Sequence, residues 1–406
     1  MGVSRRLLLG GIAAAPLARP AIIRAQSTSK PVRIGLLSDM GGPYRDVGGP
    51  GQRVGTEMAI RDFGGSVLDR PIEVLQADDQ NKPDVSTSIA RQWIDDTGVD
   101  VLADGAASSS GLAIQQVCRE KKKIYLITGP ATSEMTGKQC SPYGIHFSYD
   151  TYALAHGTGT ALTKAGGDTW FFITADYAFG YALERDTMDA VKANGGKVLG
   201  SVRAPLGTAD FSSYLVQAQA SGAKVIGFAN AGTDTQNCVK QAAEFGLTHG
   251  GVKLATLLMQ ISDVAALGQN VCAGLAYTDS FYWDMTDKTR EWSKRWSEKM
   301  GGRVPGVLHA GHYCAVLHWL KSVKAAGSTD ADTVVAKMKA TPVNDFYNTD
   351  VKIREDGRVM HEWYLWQVKP PSEAKYANDY CNRLGTIKPQ DAWRPLSEGG
   401  CPFVKS

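Results

Sequence analysis

From Val32 onward the chain alternates short apolar runs with stretches of helical spacing, and this alternation narrows the possible folds more than any other feature. Val32–Ser38, Pro71–Ala77, Val99–Ala103 and Lys123–Thr128 read as strands. Gly51–Phe63, the segment from Pro83 to Trp93, and Ser109–Lys121 have helical spacing between or after them. Strands that are apolar on both faces, each followed by a helix, form parallel sheets covered by helices on both sides. The expected class is therefore α/β.

A second set of the same build begins near Gly167. Thr169–Ala175, Lys197–Val202, Lys224–Ala229, Lys253–Leu258 and Leu275–Thr278 read as strands, and Ala182–Ala193, Phe211–Ala220 and Gln236–Phe245 as helices. Asn194-Gly195-Gly196 supplies the glycine stop of the first of these helices. Thr286–Lys299 and Gly306–Ala326 are further helices, with a shorter one after Thr329. Val351–Ile353 and Trp363–Val368 look like paired strands around a turn at Asp356-Gly357. At 406 residues the chain exceeds one ordinary core. Two lobes follow, and the late elements are expected to complete both, so that the chain crosses between them more than once. The expected division is 31–150 with 280–360 in the first lobe and 151–279 with 361–406 in the second.

Residues 1–25 read as a signal peptide. Arg5-Arg6 precede an apolar run from Leu7 to Ala18, and Ala25-Gln26 offers a cleavage point. The run is too short for a bilayer of ~30 Å, and the paired arginines add a twin-arginine reading. No later segment has enough uninterrupted apolar residues to cross a membrane, so the mature chain is expected to be soluble. Arg5, Arg6, Arg19 and Arg24 precede every acidic residue, so cleavage takes the 44 basic residues to 40 against 41 acidic ones. A chain near −1 offers no basic footprint for nucleic acid or anionic membrane.

The seven cysteines all lie beyond the leader and suit an oxidising compartment. The expected pairs are Cys381–Cys401 around a Pro- and Gly-rich tail, Cys238–Cys272, and Cys118–Cys140, with Cys314 left unpaired.

No enzyme signature is present: no G-x-x-x-x-G-K-[ST] phosphate loop, no H-E-x-x-H and no G-x-S-x-G. No catalytic residue, metal site or cofactor is expected. His309, His312 and His318 lack an acidic or thiol partner in the local pattern and read as packing and helix-start histidines. Asp78-Asp79 reads as a turn and helix cap before Pro83.

The loops after the strands carry more information, because ligands of open α/β sheets bind outside the carboxyl ends of the strands. Three are rich in small and hydroxyl residues: Gly105 to Gly111, Thr128 to Ser133, and Asn230 to Asp234. Within them Ala107, Ser108, Ser109, Gly129, Ala131, Thr132, Asn230, Gly232 and Asp234 are the candidate ligand contacts. Hydroxyls and the free N–H groups of a helix start hold a carboxylate without any cation. Aromatic residues stand on the same rim: Tyr44 after the first strand, Tyr177 and Phe179 after the Trp170 strand, and Tyr282 after Thr278. Such a cleft suits a small ligand with a carboxylate end and a flat or apolar body.

At these residues the sequence resembles the periplasmic leucine/isoleucine/valine-binding family, the branched-chain amino-acid type of substrate-binding proteins of ABC transporters. The resemblance spans nearly the whole mature chain. It is carried by Val32 to Tyr44, Asp78 to Pro83, Ala131 to Thr136, Asp176 to Gly180, Phe228 to Gly232 and Phe281 to Asp284, in that order and spacing. It implies a type I periplasmic-binding-protein fold, two Rossmann-like lobes joined by three crossover strands, closing on the ligand. It implies that Ala107–Ser109 and Gly129–Thr132 hold the carboxylate and that Phe179 corresponds to the family's aromatic near the second-lobe Tyr-Gly. The family's amino-acid binders pair the ammonium with an acidic residue of the second lobe, for which Asp234 and Asp263 are the candidates; aromatic or other hydrophobic carboxylates need no such partner. The implied function is capture of a small molecule in the periplasm for a membrane permease, by a monomer and without nucleic acid. A sensor of the same fold, binding amides or amino acids and feeding a signalling receptor, is the alternative. A nucleotide-dependent enzyme is the third, and the missing phosphate loop stands against it.

Overall fold

The structure, a computed structural model, describes residues 30–404. The leader expected at 1–25 lies outside them. Among the described residues, no helix is long and apolar enough to cross a membrane.

The first sheet has the strand order β2-β3-β1-β4-β5-β6. Its strands are β1 (Val32–Ser38), β2 (Ser66–Val67), β3 (Arg70–Asp78), β4 (Val101–Asp104), β5 (Ile124–Ile127) and β6 (Gly144–His146). All pairs are parallel except the β2–β3 hairpin. β1 lies in the middle, with Val32 opposite Ile72 on one side and Ile34 opposite Val101 on the other. Its alternate residues Val32, Ile34 and Leu36 share a core with Met58 and Ala59 of the helix Gly49–Phe63 and with the helix Val307–Ala326. Leu37, Leu102 and Tyr125 face the other way, against Ala90, Ile114 and Val117 of the helices Pro83–Gln92 and Ser108–Lys121. Burial on both faces is why these strands have so little polar alternation. Gly55 lets two of the helices meet backbone to backbone, since a β-carbon there would lie 2.7 Å from His309 O.

The second sheet, β10-β9-β7-β8, is wholly parallel. It comprises β7 (Thr169–Ala175), β8 (Lys197–Ala204), β9 (Val225–Ala229) and β10 (Lys253–Thr256). Trp170 and Phe172 enter the larger core, and Phe171 and Ile173 pack with Leu215, Cys238 and Val239 on the opposite face. A third, antiparallel sheet follows, made of β11 (Ala276–Asp279), β12 (Trp363–Val368) and β13 (Cys381–Ile387).

Two expectations about the late elements fail. Trp363–Val368 pairs with β11 and β13, not with Val351–Ile353. The turn at Asp356-Gly357 instead closes a small hairpin in which Ile353 bridges Val359 and Arg354 N donates to Arg358 O at 2.8 Å. The tail also leaves the second lobe, against its assignment with 361–406. After β13, Trp393 is buried against Trp363 and donates to His361 O at 2.9 Å, and Arg394 donates to Ser133 O at 2.8 Å.

Cys401 then bonds to Cys140 of the first lobe, with a Cα–Cα distance of 5.6 Å. This corrects all three expected pairs. Cys381 sits on β13, on the second-lobe side of that crossing, so it cannot follow its neighbour in sequence. Cys118 is packed under the first sheet, and Cys238 and Cys272 belong to separate cores. Cys118, Cys238, Cys272, Cys314 and Cys381 are all buried free thiols.

The chain passes between the lobes after β6, after β11 and before β12, and its tail returns to the first lobe after β13. A buried polar knot joins two of these crossings to the returning tail. Arg358 is fully buried. Its guanidinium donates to Ser148 O and to Val359 O, lies 3.5 Å from Asp150 Oδ2, and covers the Trp393 ring at 4.0 Å. Burial pulls its pKa down to about 10 and raises that of Asp150. His361 stands between Asn348 Oδ1 at 2.8 Å and Phe147 O at 2.6 Å.

Candidate functional site

The carboxyl ends of both parallel sheets face one another across a cleft that is nearly filled by its own walls, with a free interior of about 20 Å³. The first lobe contributes Tyr44, Val47 and Gly48 after β1, Ser108 after β4, and Gly129 and Ala131 after β5. The second lobe contributes Tyr177 and Phe179 after β7, Gly232 after β9, and Leu258, Gln260 and Asp263 after β10. Tyr149 enters from the first crossing segment and Leu308 from the start of the helix Val307–Ala326.

Ser108 opens the helix Ser108–Lys121, whose N-terminus carries no side-chain cap. The first N–H groups of a helix have no intrahelical acceptor, and the dipole there favours an anion. Ser108 Oγ accepts from Ala131 N and Thr132 N, each at 3.1 Å, which leaves its own proton free to donate. Asp104 fixes the neighbouring loop. Its Oδ1 accepts from Gly129 N at 2.7 Å and Thr128 Oγ1 at 3.1 Å, and burial raises its pKa to about 7. Thr128 Oγ1 also meets His312 Nδ1 at 2.7 Å.

The histidines and the Asp pair serve packing and turns. His309 accepts from Gly306 N at 2.9 Å, and His318 Nε2 faces Met338 O at 3.0 Å. Burial lowers both His309 and His312 to about 3, which keeps them neutral. Among the described residues no three His, Cys, Asp or Glu side chains form a metal-holding group. Asp79 accepts from Asn81 N and Ser86 Oγ, ordering the turn and the helix start after it.

The lobes are closed. The Tyr44 and Tyr177 hydroxyls hydrogen-bond across the cleft, and Thr233 N donates to Pro43 O at 3.2 Å. Gly232 makes that contact possible: its φ is +59°, and a β-carbon would stand 2.4 Å from Pro43 O. The Phe179 ring lies 5.9 Å from that of Tyr177. Aromatic and aliphatic side chains therefore line the cleft together with the polar groups of Ser108, Gln260 and Asp263.

Of the residues singled out from sequence, the cleft gathers Tyr44, Ser108, Gly129, Ala131, Tyr177, Phe179 and Gly232. The remaining six stand back from its walls. Ala107 is the buried N-cap position and Ser109 lies one residue past Ser108 on the helix. Thr132 caps the turn Ser133–Thr136. Asn230 is spent on Thr235 and Cys238. Asp234 turns away to accept from Gly207 N at 3.1 Å. Tyr282 stacks on Trp366 and accepts from Tyr380 N at 3.0 Å. Asp263, the other acidic candidate, does line the cleft. It accepts from Gln236 Nε2 and Gln260 N, both at 2.8 Å, and burial raises its pKa to about 6. Gln260, Tyr149, Val47, Leu258 and Leu308 were not foreseen. Gln260 and Leu258 follow a parallel strand, so the strand-end rule could have found them; Tyr149 and Leu308 carry no local signal.

Fold and site together define a two-lobed protein that closes a small cleft over a ligand. A family model described as periplasmic binding protein matches residues 31–375, and the chain belongs to that family. A periplasmic binding protein of solved structure from Burkholderia mallei is 49% identical, with a TM-score of 0.90, and the match covers 93% of this chain and 100% of that one. A branched chain amino acid ABC transporter periplasmic ligand-binding protein from Burkholderia xenovorans is 39% identical at a TM-score of 0.81, covering 92% of this chain and 99% of that one. The Leu/Ile/Val-binding protein homolog 6 of Brucella melitensis is 27% identical over 243 residues. That match takes in 59% of this chain and 62% of the relative, so less than two thirds of the relative's length is spanned.

Proposed function

We propose that this protein is the periplasmic ligand-capturing component of an ABC transporter, acting as an exported monomer that hands its cargo to a membrane permease. The proposed cargo is a small carboxylate with a flat or apolar body, an aromatic or other hydrophobic acid. Ser108 is the observation that carries this reading. Its free hydroxyl proton and the uncapped helix start behind it give a carboxylate charge-assisted hydrogen bonds without a cation. Val47, Leu258, Leu308 and Phe179 supply the apolar faces for the body of the ligand.

Asp263 favours a second cargo, a hydrophobic amino acid whose ammonium it would face. One point weighs against that cargo: both Asp263 oxygens already accept hydrogen bonds from the protein, Oδ1 from Gln236 Nε2 and Oδ2 from Gln260 N.

Ser108→Ala is expected to weaken binding of a carboxylate ligand tenfold or more, as befits a hydrogen bond to a charged group worth about 1.5–3 kcal/mol. Isothermal titration against both proteins measures it, with circular dichroism confirming that the variant is folded. Equal affinities in a folded variant would remove the carboxylate from the Ser108 end.

A further inference from the structure

The tip of the loop after β1, Pro43-Tyr44, meets the second lobe, and one buried carboxylate shapes it. Asp39 follows β1 and is 1% exposed. Its Oδ1 accepts from Gly42 N at 2.5 Å and Gly41 N at 3.3 Å. Its Oδ2 accepts from Tyr44 N at 2.8 Å and from Asn81 Nδ2 at 2.7 Å. The loop is therefore wound round a carboxylate, and Asn81, from the turn before Pro83, closes its far side. Both oxygens are in use. An amide in this place would keep one acceptor oxygen and set its own N–H groups against the loop's donors.

The second lobe presents a matching seat. Thr233 N donates to Pro43 O, the Tyr177 hydroxyl meets that of Tyr44, and the Pro43 ring lies over Gly207, with Cγ 3.7 Å from the place of a β-carbon. Asp234 fixes the seat from its own side, both of its oxygens accepting from Gly207 N at 3.1 and 3.2 Å. Every one of these contacts is made by protein groups alone. A cleft that shuts only round a guest leaves a guest-sized space when shut, whereas the free interior here, about 20 Å³, has room for a water or two. Closure thus leaves no large void in the packing. We infer that Asp39 is the positioning residue of lobe closure: it holds Pro43-Tyr44 preformed as a latch that seats against Gly207, Thr233 and Tyr177 and keeps the lobes shut without ligand. Preforming the tip spares the ordering cost of docking it. Cargo of any chemistry then enters the open form and shifts a balance of states that exists without it.

Double electron–electron resonance on the ligand-free protein tests this, with spin labels at Asp84→Cys and Ser213→Cys, exposed positions on the two lobes. The otherwise unaltered protein is expected to show a population at the short distance of the closed form. Asp39→Asn breaks the latch from the first lobe. Thr233→Pro breaks it from the second, because Thr233 opens the helix Thr233–Glu244, where a proline keeps the helix but removes the N–H that Pro43 O accepts. Each is expected to lower the ratio of closed to open protein about fivefold, the effect of one net hydrogen bond. The two together are expected to lower it by less than the product of the single effects, since both act through the same tip. Circular dichroism checks that the variants fold, and Asn81→Ala, which frees the far side of the same carboxylate, replaces Asp39→Asn if that variant does not. A ligand-free protein found only at the long distance overturns the inference. So does an unchanged ratio in the Asp39 variant, or a double variant that shows the full product. No ligand is present, so none of these results bears on the carboxylate reading.

Discussion

Arg358→Met is expected to lower the unfolding free energy by about 3–5 kcal/mol, the cost of stranding one member of a buried ion pair. Arg358 is fully buried and touches the first crossing through Ser148 and Asp150, its own strand at Val359, and the tail at Trp393. Removing the guanidinium leaves Ser148 O without this donor and Asp150 without its cation. Asp150 retains a hydrogen bond from Ala153 N at 2.9 Å, so it stays fixed and cannot swing to solvent. The double variant Arg358→Met/Asp150→Asn is expected to recover part of the loss, since replacing both members of a buried pair costs less than removing one. Urea denaturation followed by tryptophan fluorescence measures both. A loss below about 1 kcal/mol for the single variant would mean that the crossings are held by packing alone.

The disulfide gives the second large effect. Cys140 and Cys401 are 261 residues apart in sequence, so the bond closes a very long loop and ties the tail to the first lobe. Loop-closure entropy and typical measurements together place the loss for Cys140→Ser/Cys401→Ser at about 2–5 kcal/mol. The same loss is expected on reducing the wild-type protein, and reductant should then have no further effect on the double variant. Cys118→Ser and Cys381→Ser should leave the sensitivity to reductant unchanged. If Cys381→Ser abolished it, the tail would be tied within the second lobe instead.

Most of the architecture was legible because parallel strands buried on both faces leave unbroken apolar runs, as in Val32–Ser38 and Thr169–Ala175. Strands of other kinds left no such trace. β13 reads Cys-Asn-Arg-Leu-Gly-Thr-Ile and is largely exposed, and β2 has two residues. Helices that open on the cleft were read late: Ala178–Ala193 and Thr233–Glu244 each begin three or four residues before the expected start. Their first turns face the ligand space rather than the core, so the apolar spacing begins only one turn in. The same separation explains the site. The strand-end loops pointed to Ser108, Gly129, Ala131 and Gly232, yet could not tell which side chain of a loop turns inward. Asp234 and Asn230 satisfy their own lobe, whereas Tyr149 and Leu308 reach the cleft from segments with no marker. Disulfide pairing was the least legible feature, because it depends on where the tail goes after its last strand.

The central claim is that the closed cleft holds a carboxylate by hydroxyl and helix-start amides. Titration of the wild-type protein with matched carboxylates and their primary carboxamides, hydroxybenzoates beside hydroxybenzamides and leucine beside leucinamide, tests it most directly. The expected result is one-to-one binding of an aromatic acid, at least tenfold tighter than its amide. Ligand at ~100 times its dissociation constant should then add about 2.7 kcal/mol of stability. Amides that bind as tightly as the acids, or a protein that responds to no carboxylate, would contradict it.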